Sequence, residues 1–432
     1  MLCQTRSAPG SRVREGRDKL PGMPEFLNLI PPPEALERFL AHLDLSPTVE
    51  TAPVRQALGR VLAEDLRADV PLPEFARSTV DGFAVRARDT FGAGDALPAY
   101  LKLKGEVPMG HSPGFELRAA ECALIHTGGM VPPGADAVVM VENTGETPLG
   151  EVEIYRPAAP GENVIQVGED VREGEVVLKR GTRIRPAEIG GLMALGLPGV
   201  PVARRPKVAI LSSGDEVVPP ETVPAPGQVR DVNSYALEAL VQAAGGEPVL
   251  SGILPDRIEA FREAAEQALA ACDLVVFTAG SSVSVRDLTA EVIAGLGEPG
   301  VLVHGVSVRP GKPTILAVCG GKPVVGLPGN PVSALVIARL FVVPVIERYL
   351  GVHRPQAQAS VAARLAANLP SQAGREDWVP VRLSPEADGY RAEPVYGRSN
   401  LIFSLARADG LVRIPAAANG LPAGAAVTVY LL

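Results

Sequence analysis

Apolar residues first recur with helical spacing at Leu36, Phe39, Leu40 and Leu43, which predicts a helix over residues 33–43. From about 69 to 156 the pattern changes to short apolar runs, such as 137–141, split by Gly and Pro; this predicts a small β-rich lobe. Residues 188–197 are again helical and apolar, and end at Gly196 and Pro198. A lobe between two helical stretches reads as an insertion, with the flanks packed together as a linker domain. From 204 to 350, short apolar strands at 207–211, 248–253, 274–278 and 323–326 alternate with helical runs at 234–244, 256–271, about 287–296, and 332–350. The second run has a plausible cap at Asp256 and carries Ile258, Phe261, Ala265 and Leu269 on one face. Strands alternating with helices predict a parallel sheet covered on both sides. After His353-Arg354-Pro355 the helices stop and short alternating strands follow; the last, 426–432, comes after the turn Leu421-Pro422-Ala423-Gly424. A small C-terminal β-barrel fits this tail.

The expected architecture is therefore a multidomain α/β protein: a basic tail over 1–22, a linker domain from 23–68 and 157–203, an inserted β-rich lobe over 69–156, a central parallel α/β domain over 204–352, and the barrel over 353–432. The tail carries Arg6, Arg12, Arg14, Arg17 and Lys19 against Glu15 and Asp18, with no apolar segment, so it reads as disordered, and Met23 is an alternative start. The 45 Gly and 42 Pro sit among apolar runs, which implies many short elements joined by tight turns. A net charge of -8 argues against a nucleic-acid surface but leaves room for a local anion pocket. Cys3, Cys122, Cys272 and Cys319 are far apart, which excludes a CxxC zinc site and fits a reducing, cytoplasmic setting. The longest apolar stretch, near 332–346, is interrupted by Arg339 and Pro344, too short and broken to span a bilayer.

Ligands of open α/β sheets bind where strand ends meet helix starts. Three such loops are rich in small residues: Ser212-Ser213-Gly214-Asp215-Glu216, the stretch 278–287 with Gly280, Ser281, Ser282 and Asp287, and Gly326-Leu327-Pro328-Gly329-Asn330-Pro331-Val332-Ser333. Glycines let backbone N–H groups turn toward an anion, and hydroxyls can contact phosphate. Asp215 and Asp287 add negative charge, which a phosphate site tolerates best with Mg²⁺ between them and the anion. Each loop alone reads first as an ordinary strand-to-helix turn with an N-cap; three in one sheet reverse that and favour a ligand site. Arg309-Pro310-Gly311-Lys312-Pro313 adds two cations on a turn stiffened by proline, although a surface turn with solvated charges has the same composition. Neither a Walker A loop nor a GxGxxG motif is present.

With these loops stand Leu58-Gly59-Arg60-Val61-Leu62-Ala63-Glu64-Asp65, the run 73–85 ending in Ser78-Thr79-Val80-Asp81-Gly82-Phe83, Thr127-Gly128-Gly129, Pro133-Gly134-Ala135-Asp136 and Gly168-Glu169-Asp170. In that order, from about Met23 to the C-terminus, the chain resembles the molybdopterin molybdenumtransferases, bacterial molybdenum insertases related to the gephyrin E domain. The resemblance implies that the α/β domain binds adenylylated molybdopterin, that molybdate is inserted, and that AMP is released with Mg²⁺ required. It implies a homodimer in which the lobe of one subunit approaches the α/β cleft of the other. By motif it assigns Asp81, Asp136, Glu169, Asp215 and Lys312 to catalysis, and Asp215 with Asp287 to Mg²⁺. Ser213, Gly214, Gly280, Ser281, Ser282, Pro313, Gly329, Asn330 and Pro331 fall to the pterin substrate; Arg309, Lys312, Ser333, Arg375 and Ser399 fall to molybdate. The chain departs from the family pattern at 279–286, and Arg309 stands where many relatives have Lys.

Partners implied are molybdopterin adenylyltransferase and apo-molybdoenzymes, with neither nucleic acid nor membrane. The rival readings are the adenylyltransferase itself, which leaves 24–203 and 355–432 without a role, and a non-catalytic pterin-binding scaffold.

Overall fold

Helix α1 (Pro32–Leu40) opens on prolines, tolerated in a first turn because no intrahelical N–H is lost there. Its buried residues Ala35 and Phe39 join the core of the α/β sheet described below. In the computed structural model, residues 29–148, 150–278, 283–352 and 359–432 are described, with 283–287 as backbone only. The segments flanking the lobe pair with each other: Val49–Pro53 lies antiparallel to Gly199–Ala203. Val54, Leu62, Ile184, Leu192 and Val202 pack together between them.

The lobe is built on a six-stranded sheet of β1 (Gly82–Val85), β2 (Ala99–Val107), β3 (Glu121–Ile125), β4 (Ala137–Met140), β5 (Thr144–Glu146) and β6 (Glu151–Ile154), in the order β4-β1-β3-β2-β6-β5. Alternation along β1 sends Phe83 and Val85 to one cluster and Ala84 to another, so both faces are covered. Helix α2 (Pro186–Ala194) returns the chain to the linker.

The central sheet holds β7 (Lys207–Ser213), β8 (Glu247–Leu254), β9 (Leu274–Thr278), β10 (Pro299–His304), β12 (Ile315–Cys319) and β13 (Lys322–Leu327); the short β11 (Val308–Arg309) lies between β10 and β12 in sequence. Their order is β8-β7-β9-β13-β12-β10. The first four are parallel, but β12 and β10 run antiparallel to their neighbours, so the sheet is mixed rather than all parallel as expected. A tight Gly320-Gly321 turn joins β12 to β13, and such a hairpin needs no crossover helix. Val208, Ile210, Leu274 and Val276 face α3 (Asn233–Ala244) and the C-terminal helices, whereas Ala209, Leu211, Val275 and Phe277 face α4 (Ile258–Ala271) and α5 (Val283–Ala294). Burial of both faces explains why these strands read as continuous apolar runs.

Two expectations at helix ends need correction. Asp256 does not cap α4: the helix begins two residues later with no side-chain cap. The run expected over 332–350 is α6 (Pro331–Ile337), a π-helical turn (Ala338–Val342) and a further α-helix (Val343–Tyr349). The π turn accommodates the frame before Pro344, whose missing N–H would otherwise interrupt a regular ladder.

The C-terminal strands β14 (Ser360–Leu365), β15 (Glu376–Glu386), β16 (Gly389–Pro394), β17 (Gly410–Ile414) and β18 (Ala426–Leu431) close into a five-stranded barrel, because β15 pairs with both β16 and β17. Leu365, Val381, Ala392, Val412 and Val429 fill it. Strand β11 adds to the outer side of β15 in parallel, with Arg309 opposite Asp377. This two-residue pairing stitches the α/β domain to the barrel beside the functional site. No helix among the described residues is long and apolar enough to cross a membrane.

Candidate functional site

Where β11 meets β15, a cleft of ≈ 820 Å³ opens between the α/β domain and the barrel. One wall is the turn Arg309-Pro310-Gly311-Lys312-Pro313. Gly311 has φ +116°, and a Cβ there would stand 2.3 Å from Cγ1 of Ile337 in α6, so the turn rests directly on that helix. The buried Thr314 hydroxyl donates to the Gly311 carbonyl at 2.6 Å and closes the turn. A second wall is Pro328, Gly329, Asn330 and Ser333 at the end of β13 and start of α6. The third comes from the barrel: Arg375, Asp377, Tyr396, Arg398 and Ser399.

The cleft joins sequence segments that only the fold brings together. Arg309, Lys312, Pro313, Gly329, Asn330, Ser333, Arg375 and Ser399 all line it. Asn330 Nδ2 donates to Ser399 Oγ at 3.0 Å, and Val332 N–H donates to the Ser399 carbonyl at 3.1 Å. That N–H at the start of α6 is thus already satisfied by the barrel, so the anion donors expected of this loop are fewer than a bare helix start would offer. Pro331 is the first residue of α6, placed to set its direction.

Electrostatically the cleft is a basic spot on an acidic protein. Among the described residues, four cations line it, Arg309, Lys312, Arg375 and Arg398, against one carboxylate, Asp377. Asp377 is almost fully buried; its Oδ1 takes Arg375 Nε at 3.0 Å and its Oδ2 lies 3.6 Å from Arg309 Nη1. Glu376, also buried, pairs with Arg413 at 2.6 Å. Removing one partner of a buried pair costs about 3–5 kcal/mol; the cost is smaller where one member is largely exposed, as Arg309 is. Asp377 and Arg398 escaped the sequence reading. Arg375 is two residues from the acid, but Arg309 reaches it only through pairing with β11, across 68 residues of chain, and Arg398 is a lone cation in a loop.

The remaining predicted residues lie elsewhere. Ser213, Gly214 and Asp215 follow β7, and Ser212, Thr278 and Leu327 end their strands in register, so these loops share one edge of the sheet with Gly329. Asn233 ties that edge together: its Nδ2 donates to Thr278 Oγ1 at 2.7 Å and to the Gly329 carbonyl at 2.9 Å. Asp215 and Asp256 exchange backbone-to-carboxylate hydrogen bonds of 3.3 and 3.2 Å. Burial, with Asp215 and Glu216 nearby, pushes the Asp256 carboxyl above the usual aspartate range. Ser213 Oγ, Asn233 Oδ1 and Asp256 Oδ1 are buried without a hydrogen-bond partner among the described residues. Such orphaned oxygens are expected beside a polar ligand. Gly280, Ser281 and Ser282 lie outside the described residues, as does the Asp287 side chain.

Asp81, Asp136 and Glu169 are absent from the cleft lining. Each accepts a nearby backbone N–H: Thr127 to Asp81 at 2.8 Å, Ala87 to Asp136 at 2.6 Å, and Gln166 to Glu169 at 2.8 Å. The Thr127 bond holds the Asp81 carboxyl below its ordinary pKa. Asp81 and Asp136 flank opposite ends of β1, about 15 Å apart at ~3.4 Å per residue, too far to share one cation at ~2.0–2.1 Å. No cluster of three metal-ligating side chains occurs among the described residues.

Family comparison covers nearly the whole described chain. Residues 30–196 match the profile "MoeA N-terminal region (domain I and II)", 209–348 the "Probable molybdopterin binding domain", and 362–432 the "MoeA C-terminal region (domain IV)". A protein assigned to molybdopterin biosynthesis in Methanocaldococcus jannaschii is 36% identical over 404 residues, covering 92% of this chain and 95% of its own length. The molybdopterin molybdenumtransferase of a Nostoc species is 35% identical over 397 residues, 90% of each chain. The crystal structure of the molybdopterin biosynthesis MoeA protein from Pyrococcus horikoshii superposes with a TM-score of 0.79 at 40% identity, over 94% of this chain and 99% of that one. With matching sequence, domain order and three-dimensional structure along nearly all of its length, the chain belongs to the MoeA family of molybdopterin molybdenumtransferases.

Proposed function

We propose that the chain inserts molybdenum, supplied as molybdate, into adenylylated molybdopterin, releasing AMP and forming the molybdenum cofactor. The observation that carries this reading is the cleft where Arg309 and Lys312 of the α/β domain face Arg375 and Ser399 of the barrel. Molybdate is a dianion, and its approach to a phosphate-bearing substrate is opposed by charge. Fixed cations and hydroxyl donors in a recessed cleft offset that repulsion without reorganising. Ser333 and Ser399 supply hydroxyls, and Lys312 adds a mobile point charge.

The pterin lies along the edge that carries Ser213, Gly214 and Gly329, where Asn233 and the orphaned Ser213 Oγ await polar partners. The dithiolene of the substrate supplies the sulfur ligands for molybdenum. Cys122, Cys272 and Cys319 are buried thiols, with Cys122 pushed up to about 12 and Cys319 to about 11 by burial, so none is a ready thiolate.

The acidic residues by the AMP end fit Mg²⁺. Asp215, after β7, and Asp256, before α4, bring hard oxygens together from two neighbouring loops, Asp256 Oδ1 has no partner among the described residues, and their mutual repulsion would be relieved by a cation. When bound there, Mg²⁺ would neutralise phosphate charge as AMP leaves. Asp215 and Asp256 would hold it, and Gly214 lets the backbone approach the phosphate.

We further place the enzyme in the cytoplasm as a homodimer, served by an adenylyltransferase and serving apo-molybdoenzymes. Support for a second copy comes from Val249 and Leu250, exposed on the edge strand β8, with Val229, Val232 and Tyr235 exposed before and within α3.

Purified protein given adenylyl-molybdopterin, molybdate and Mg²⁺ should release AMP in step with molybdenum bound to pterin. Release that requires ATP and metal-free pterin would instead indicate the adenylyltransferase.

A further inference from the structure

Asp377 is an acid in a cleft assigned to an anion, buried and in contact with two of the four cations there. A carboxylate so placed lowers the cleft's positive charge, so electrostatic attraction alone gives no reason for it. The geometry supplies one. Arg309 belongs to the α/β domain and Arg375 to the barrel, and each meets a different oxygen of Asp377. The β11–β15 pairing sets Arg309 opposite Asp377, and the Glu376 N–H donates to the Ser307 carbonyl at 2.9 Å, so the carboxylate is fixed where the domains join. Arg309 is 62% exposed, and a guanidinium so placed is free to turn into solvent, away from the other cations. Arg375 gives only its Nε to Asp377, which leaves its remaining fork donors for another acceptor.

We propose that Asp377 is a positioning residue for oxyanion capture: it holds Arg309 and Arg375 converged across the domain junction, so that the cleft meets molybdate preassembled. This deepens the proposed function and rests on its assignment of the cleft to molybdate. It also yields an expectation opposite in sign to bulk charge. Asp377→Asn makes the cleft more positive, so simple attraction predicts tighter molybdate binding. Loss of positioning predicts weaker binding, because two arginines must then be ordered at the expense of the ligand.

The test uses the full chain and two readouts: calorimetric titration with molybdate alone, and the molybdate dependence of AMP release. Asp377→Asn should weaken molybdate binding tenfold or more and raise the half-saturating molybdate concentration in parallel. Maximal rate at saturating molybdate and the concentration dependence on adenylyl-molybdopterin should change less than about twofold. Asp377→Glu keeps the charge and both acceptor oxygens, and should recover most of the affinity; it also serves if the Asn variant melts below the assay temperature. Unchanged or tighter molybdate binding in Asp377→Asn overturns the proposal. So does an equal loss in both substrates with a lowered melting temperature, which marks a merely structural acid. If the wild-type chain binds molybdate yet releases no AMP, the insertase reading fails, while the dependence of titrated affinity on Asp377 still decides the present inference.

Discussion

Lys312, exposed like Arg309 in the same turn, is the side chain on which molybdate capture should depend most simply. A charge-assisted contact contributes about 1.5–3 kcal/mol, so Lys312→Ala should raise half-saturating molybdate on the order of tenfold to a hundredfold. The dependence on adenylyl-molybdopterin should move far less, since Ser213, Gly214 and Gly329 are untouched. Steady-state titration of both substrates checks this; a collapse in pterin binding with unchanged molybdate dependence would assign the turn to phosphate. At this scale the sequence was informative wherever a local pattern constrains geometry, as with two cations between prolines. It was silent on Asp377, Arg398, Asn233 and Asp256, because their roles arise from partners supplied by other elements. Asp256 shows the difference well: its place before a helix suggests a cap, yet its carboxylate turns back to the Asp215 N–H.

Among elements, the site depends on how the turn sits against α6. Gly311→Ala would put a methyl 2.3 Å from Ile337 Cγ1, at a backbone conformation that side chains rarely adopt. Overpacking of this kind costs about 1–3 kcal/mol, and relief comes most readily by moving the turn. The variant should melt lower and need several-fold more molybdate; adding Ile337→Ala should restore the molybdate dependence even though stability stays low. A second element contact predicts pH behaviour. Burial raises the Asp273 carboxyl, but Arg204, at 2.9 and 3.0 Å, and the Lys207 N–H outweigh it and leave its pKa lowered. A lowered folded pKa gives stability that is present above the unfolded value near ~3.9 and is lost as pH falls through the folded value. Thermal melts should therefore separate wild type from Asp273→Asn at pH 7 and begin to converge only as pH falls below about 4, towards the lowered folded value; a constant gap as the pH is lowered through that range would deny the linkage. The strands buried on both faces were readable because Leu274–Thr278 has no polar side to alternate with. The antiparallel pair Pro299–His304 and Ile315–Cys319 was not, since a short apolar run carries no direction.

Over the whole molecule, the domain order follows from changes of pattern along the chain, whereas the closeness of the α/β cleft and the barrel follows from pairing that no local pattern encodes. What one chain leaves unexplained is the lobe. Asp81 is exposed, bonded to Thr127 and near His126, and neither it nor Asp136 lines the cleft. If these carboxylates serve the reaction, a second subunit must bring them to it, and the exposed apolar residues on β8 and α3 offer a surface for that subunit. A shared site has a distinctive consequence. Asp81→Asn and Asp215→Asn homodimers should each be nearly inactive, because every site in them lacks one group. In a mixed dimer one site receives both damaged groups and the other receives neither, so up to half the wild-type rate should return. Differently tagged subunits, refolded together and isolated by both tags, measure this directly. Activity no higher than that of the parent variants would mean that each chain builds its site alone, and would leave Asp81 as the structural acceptor for Thr127.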